Sequence, residues 1–171
     1  LGTTVPIDNV NGQGNGLNKN LSGSIEFGNP SNQSLTLIAG MTQEDGSLLG
    51  SKGSAAFSIG DAKSNTLYTG IKAQKKFGDT FSLEGVATIA SSSMSNSSNM
   101  IAMASNLKSS SAALIGNFRD LSKDDHLSIY VSQPNRINSG SMSFKTAGLA
   151  SNDRSITQTL RNLNVEPSSR Q

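Results

Sequence analysis

Apolar and polar side chains alternate with period two through most of this chain, in runs set apart by Gly, Pro, Asn and Asp. Leu35, Leu37, Ala39 and Met41 share one side of a run from Gln33 to Met41, opposite Thr36, Ile38 and Gly40. Leu67, Thr69, Ile71 and Ala73 oppose Tyr68, Gly70, Lys72 and Gln74 in the same way. Phe81, Leu83, Gly85, Ala87 and Ile89 oppose Ser82, Glu84, Val86 and Thr88, and the Phe77-Gly78-Asp79 link makes these two runs the clearest hairpin. Further strands are expected over Ser22–Phe27, Ser54–Ile59, Met100–Ser105, Ser110–Phe118 and Ile156–Val165, with Met100–Ala104 equally readable as a helical turn. Loops are expected over residues 91–98, 119–125 and 146–153.

The run from His126 to Phe144 reads as two strands hinged at Gln133-Pro134-Asn135. Leu127, Ile129 and Val131 alternate with Ser128, Tyr130 and Ser132, and Pro134, with no amide hydrogen and a fixed φ, is expected to stop the ladder and begin a turn. After Arg136 the pattern resumes with Ile137 and, past the Ser139-Gly140 step, with Met142 and Phe144. About nine or ten strands spaced by short loops predict an all-β antiparallel meander forming a β-barrel or sandwich, not βαβ units.

Composition refines this picture. Residues 1–21 carry the Asn- and Gly-rich stretch Asn9–Asn20 and read as a flexible linker or arm, leaving 22–171 as one antiparallel β-domain. The Gly12-x-Gly14-x-Gly16 spacing lacks the flanking strand and helix of a phosphate cradle. Only 34% of residues are hydrophobic against 30 serines and 17 glycines, so any core is thin. With 14 basic and 12 acidic residues the charge is nearly balanced, and the one basic knot, Lys72, Lys75 and Lys76, reads as a solvated strand end and not a nucleic-acid patch. No cysteine is present, so disulfides and thiolate metal sites are excluded. Leu1 is not an initiator Met and no charged-plus-apolar signal segment follows it, so the sequence reads as a processed product or an excised piece of a longer chain.

Three segments carry a family resemblance: Glu44-Asp-Gly-Ser-Leu-Leu-Gly-Ser-Lys-Gly-Ser-Ala-Ala-Phe57, the corner Ser132-Gln133-Pro134-Asn-Arg136-Ile137, and Leu163-Asn-Val-Glu-Pro167-Ser-Ser-Arg170-Gln171. In order and rough spacing they resemble the C-terminal β-region of autotransporter-like, subtilisin-type serine proteases of Gram-negative bacteria. Ser169 and Gln171 depart from that family's Gly and acid. The resemblance implies a non-catalytic β-domain, outer-membrane or extracellular, that serves anchoring, export or assembly for a protease domain lying upstream. It also implies further strands beyond this stretch, so the sheet is expected to be incomplete and finished by self-association or by strand exchange with the rest of a precursor. Ser132, Gln133, Pro134, Arg136, Gly140, Pro167 and Arg170 are its structural positions, with no catalytic residue, cofactor or metal assigned.

A lipid-facing barrel calls for an apolar outer band and aromatic girdles. At 5% aromatics, with Tyr68 and Tyr130 the only tyrosines and no Trp, the composition offers no girdles, which favours a soluble or self-assembled β-structure, whereas the resemblance favours the membrane; the alternative function is a soluble β-rich module binding glycan or protein. His126, the single histidine, stands beside Asp124 and Asp125 and reads as a surface-loop residue, and Asp120, Asp124 and Asp125 match no calcium-loop spacing. Arg136 is expected to pair with a carboxylate inside the sheet.

Overall fold

The computed structural model describes residues 2–4, 19–51, 59, 62–95, 100–119, 125–149 and 156–165. They form β1 (Gly2–Thr4), β2 (Lys19–Asn29), β3 (Gln33–Asp45), β4 (Lys63–Phe77), β5 (Phe81–Met94), β6 (Ile101–Arg119), β7 (His126–Leu149) and β8 (Ile156–Asn164), with no helix among the described residues. Each strand pairs antiparallel with the next in chain order. The antiparallel meander is therefore as expected, and the sheet is open, in line with an incomplete one: it does not close into a barrel, and among the described residues no second sheet packs on it as a sandwich would.

The pairing register follows the hydrophobic pattern. Ile25 lies opposite Leu37, Leu37 opposite Ile71 and Ile71 opposite Ala87, so the odd-numbered apolar positions of β2 to β5 line up on one face. A slip of one residue in any strand would move its whole apolar set to the other face.

Several sequence expectations are corrected. Pro134 does not begin a turn; β7 runs through it for 24 residues. Gln133 faces Ala112 and Arg136 faces Ser110, so Pro134 and Asn135 together oppose the single residue Ser111 in a bulge. β8 pairs with β7 only over Ser141–Leu149, so at Pro134 no described strand lies on the far side and a missing N–H breaks no ladder there. Met100–Ser105 and Ser110–Phe118 join into one strand, β6, through irregular register around Asn106, which has φ 52°. The loop expected from residue 146 begins later, since β7 extends to Leu149. At the N-terminus Gly2–Thr4 pairs with Ser24–Glu26, and β2 starts at Lys19; residues 5–18 of the expected arm, like Ser54–Ser58 of an expected strand, lie outside the described residues.

Gly140 is required where β6 and β7 change register. Its φ is +145°, and a Cβ there would sit 2.6 Å from Leu107 Cδ2 and 2.9 Å from the Asn106 carbonyl oxygen.

The core is small and lies to one side of the sheet. Leu48, Ile59 and Ala62, from the β3–β4 connection, pack on Met94 of β5 and Ala104 and Leu107 of β6, flanked by Leu49, Ile101, Ile137, Met142 and Val165. Polar ties hold the connection in place. The Glu44 carboxylate accepts the Gly50 N–H at 3.0 and 3.3 Å, and Ser64 Oγ donates to the Ser47 carbonyl at 2.7 Å.

Candidate functional site

The pairing register assigns every strand residue of β2 to β6 and the first half of β7 to one of two faces. One carries Leu21, Ile25 and Phe27; Leu35, Leu37 and Met41; Leu67, Ile71 and Phe77; Ile89; Leu114; and Leu127, Ile129 and Val131. All of these are exposed, from 39% at Leu35 to 66% at Leu67 and Val131. At roughly 80 Å² apiece they present on the order of 1,000 Å² of apolar surface, well above the ~300–600 Å² of the largest patch on an ordinary soluble monomer.

The opposite face is the more polar one, although Ile38, Val86, Ile115 and Tyr130 lie on it. Over β2 to β6 it is the more enclosed, whereas on the first half of β7 it is exposed, Tyr130 to 61%. Along β4 the odd positions are exposed while Ser64 and Thr66 are buried and Tyr68, Lys72, Gln74 and Lys76 are half-buried. A flat sheet would expose both faces alike. Here the side chains of one face crowd together and those of the other splay apart, so the sheet curls with its polar side within. Cross-strand pairs bridge that inner face: Thr66 Oγ1 to Ser92 Oγ at 2.8 Å, Thr88 Oγ1 to Ser111 Oγ at 2.6 Å, and Lys72 to Glu84 at 3.0 Å. Tyr68 reaches across β3 to Asn20 of β2, its hydroxyl donating to Oδ1 at 3.3 Å, because Gly40 beneath it has no Cβ: one would lie 2.5 Å from that hydroxyl oxygen.

The two ends of the sheet differ. Residues 30–32 and 78–80 are short turns at one end, whereas the β3–β4 connection at the other spans residues 46–62. At the short-turn rim the apolar face carries a row of rings: Phe77 and Phe81 stack at 5.5 Å between centroids, and Phe81 and Phe118 at 4.7 Å. Phe27 stands at the same end of β2, and Lys75 lies 5.2 Å over the Phe77 ring. Composition gives no sign of this row, since a few aromatics form it once register brings distant ones into line.

The residues singled out from the sequence are scattered along β7. Ser132, Gln133, Pro134 and Arg136 follow one another opposite β6, all exposed, and Gly140 lies further on at the bulge. Arg136 has no ion-pair partner among the described residues, and Asp120, Asp124, Asp153 and Glu166 lie outside them. Pro167 and Arg170 lie outside the described residues. The three lysines of the basic knot separate: Lys72 pairs with Glu84, Lys75 lies on the apolar face, and Lys76 on the polar one.

His126 is exposed at the start of β7, with Nε2 3.3 Å from Ser128 Oγ. That hydroxyl donates its proton to Asn117 Oδ1 at 2.8 Å, so it is not held as a nucleophile by the imidazole. Asp120 and Asp124 lie outside the described residues, and among the described ones no group of three or more His, Cys, Asp or Glu is placed to hold a metal ion. Comparison with protein-family models, with curated proteins and with solved structures finds no match to this chain.

Proposed function

We propose that this chain forms part of the wall of an outer-membrane β-barrel, as the non-catalytic anchoring or export domain of a secreted, autotransporter-type protein with a subtilisin-like protease upstream. The inverted polarity of the sheet carries this reading. A β-sheet in water hides its apolar side, whereas here that side is the splayed, exposed one and the polar side is enclosed, the arrangement a strand needs between lipid and an aqueous lumen.

Dimensions agree. Strands β2 to β5 have 11, 13, 15 and 14 residues, beyond the ~9–11 that a tilted strand needs to cross the hydrocarbon. From Leu67 to Phe77 the apolar stripe of β4 runs about 33 Å along the strand, which at a barrel tilt of ~40° projects to about 25 Å, the height of a membrane band. The ring row at the short-turn rim supports the same reading, as do short turns at one end and a long connection at the other. The protease and autotransporter part of the proposal rests on the three resembling segments alone. The stretch of β7 from His126 to Ser139, which no described strand covers on its outer side, is the edge at which a second copy or another stretch of the precursor completes the wall.

The absence of cysteine makes one experiment clean. Ile71→Cys and Thr88→Cys, each labelled with a fluorophore, are reconstituted in phospholipid vesicles. The label at 71 is expected to be quenched by brominated acyl chains and the label at 88 by aqueous iodide. Oxidation of Val131→Cys is expected to give cross-linked dimers, while Ser92→Cys, on a buried position, gives none. A detergent-free, monodisperse monomer with iodide reaching position 71 as readily as position 88 would rule the membrane reading out.

A further inference from the structure

We propose that the short-turn rim holds a binding site for an oxyanion, either the phosphate of a lipid headgroup or a free phosphate. A cavity of about 480 Å³ opens there between the 30–32 turn, the 78–80 turn and the end of β6, lined in part by Asn32, Lys76, Asp79, Ser82, Asn117 and Arg119. Lys76 pairs in register with Ser82, and Ser82 with Asn117, so an ammonium, a hydroxyl and an amide stand in a row across three strands on the polar face. Arg119 follows two residues beyond Asn117 on the same face. The cavity is thus built from four segments that register brings together.

The cationic groups are free to bind. Lys72 spends its charge on Glu84, but neither Lys76 nor Arg119 has an ion-pair partner among the described residues. Their backbones are nonetheless fixed, because the Lys76 N–H donates to the Asn32 carbonyl at 2.7 Å and the Arg119 N–H to the Thr80 carbonyl at 2.8 Å. Asn117 Oδ1 already accepts from Ser128, which leaves its NH₂ to donate into the cavity. A guanidinium fork, an ammonium, an amide and a hydroxyl match the acceptor-only oxygens of a phosphate. Asp79 opposes them with one negative charge, leaving the described lining side chains at a net +1, of the sign that draws an anion.

The test follows the backbone amides of the isotopically labelled chain by NMR in a nonionic detergent, which contributes no phosphate, at constant ionic strength. Inorganic phosphate is expected to give saturable shifts at Lys76, Ser82, Asn117 and Arg119. The Lys76→Gln/Arg119→Gln double variant weakens binding at least about tenfold, Arg119→Lys restores part of it when Lys76 is kept, and Asp79→Asn strengthens it. Arg119 is exposed and Lys76 half-buried at the rim, and neither belongs to the buried core, so circular dichroism of the double variant is expected to match the parent. Shifts that grow linearly without saturating, that chloride reproduces, or that survive the double substitution would overturn the site. Dihexanoyl phosphatidylglycerol below its micellar concentration, set against glycerol phosphate, separates the sources: tighter lipid binding marks a headgroup site with acyl contact, and equal binding marks a site for free phosphate. The phosphate titration does not depend on membrane insertion, so failure of the barrel reading leaves this site standing, and the reverse.

Discussion

Ile71→Lys is expected to destabilise the chain in phospholipid vesicles by about 2–4 kcal/mol, the cost of a lysine facing lipid near the middle of a membrane barrel wall. Ile71 sits at the centre of the apolar face, between Leu37 of β3 and Ala87 of β5, and is 44% exposed. On a soluble sheet an exposed isoleucine so placed could be exchanged for lysine within about 0.5 kcal/mol, and solubility would improve. The two readings therefore differ by a factor of more than ten in the folding equilibrium. Ser24→Lys, on the polar face of β2, serves as the control and is expected to stay within about 1 kcal/mol. Urea titration of the reconstituted chains, read by far-ultraviolet circular dichroism, supplies the comparison. Equal midpoints for the parent and Ile71→Lys would refute lipid contact at this face.

The division into faces was legible in the sequence because side-chain period and strand geometry share the same number. Leu35, Leu37, Ala39 and Met41 do lie together, as do Phe81, Leu83, Gly85, Ala87 and Ile89, and the β4–β5 hairpin turns at Gly78 as expected. Alternation does not say which face is enclosed. That depends on curvature, a property of many strands together, and the usual prior puts the apolar side within. The same limit hid the row of rings: Phe77, Phe81 and Phe118 are neighbours only through register.

The misread positions share a different cause. Pro134 ends a ladder only if a strand needs its N–H, and a proline at the edge of a sheet meets no such demand. The break expected between Ser105 and Ser110 is instead a register change, absorbed by a left-handed Asn106 and by Gly140 on the neighbouring strand. Both are tertiary solutions to local signals that read, one strand at a time, as stops. The candidate site was legible residue by residue at most: Lys76 stood out as part of a basic knot, whereas Ser82, Asn117 and Arg119 join it only once β4, β5 and β6 are laid side by side.

Leu107→Ala is expected to cost about 2–5 kcal/mol, more than its chemistry would suggest in a chain with so little core. Among the described residues Leu107 is the largest fully buried side chain, and it touches the group in which Leu48, Ile59 and Ala62 lie against Met94 and Ala104. No other buried apolar cluster lies among the described residues; Ile38, Val86 and Ile115 share this side of the sheet but stand outside the group. The truncation also widens a gap that Gly140 keeps narrow, because the backbone of β7 approaches Leu107 there. If the core pins the β3–β4 connection to the polar face, its loss is local first. Amide exchange at Gly46, Leu48 and Ser51, whose N–H groups bond to Ala62, Ser51 and Leu48, should accelerate before exchange in the middle of β4 does. Leu114→Ala, 48% exposed on the apolar face, separates burial from hydrophobicity: it removes the same atoms and should leave those three amides unchanged. A loss below about 1 kcal/mol for Leu107→Ala, with exchange at Gly46 and Leu48 unaltered, would mean that the connection does not hold its place by packing, and that the polar face is open along its whole length.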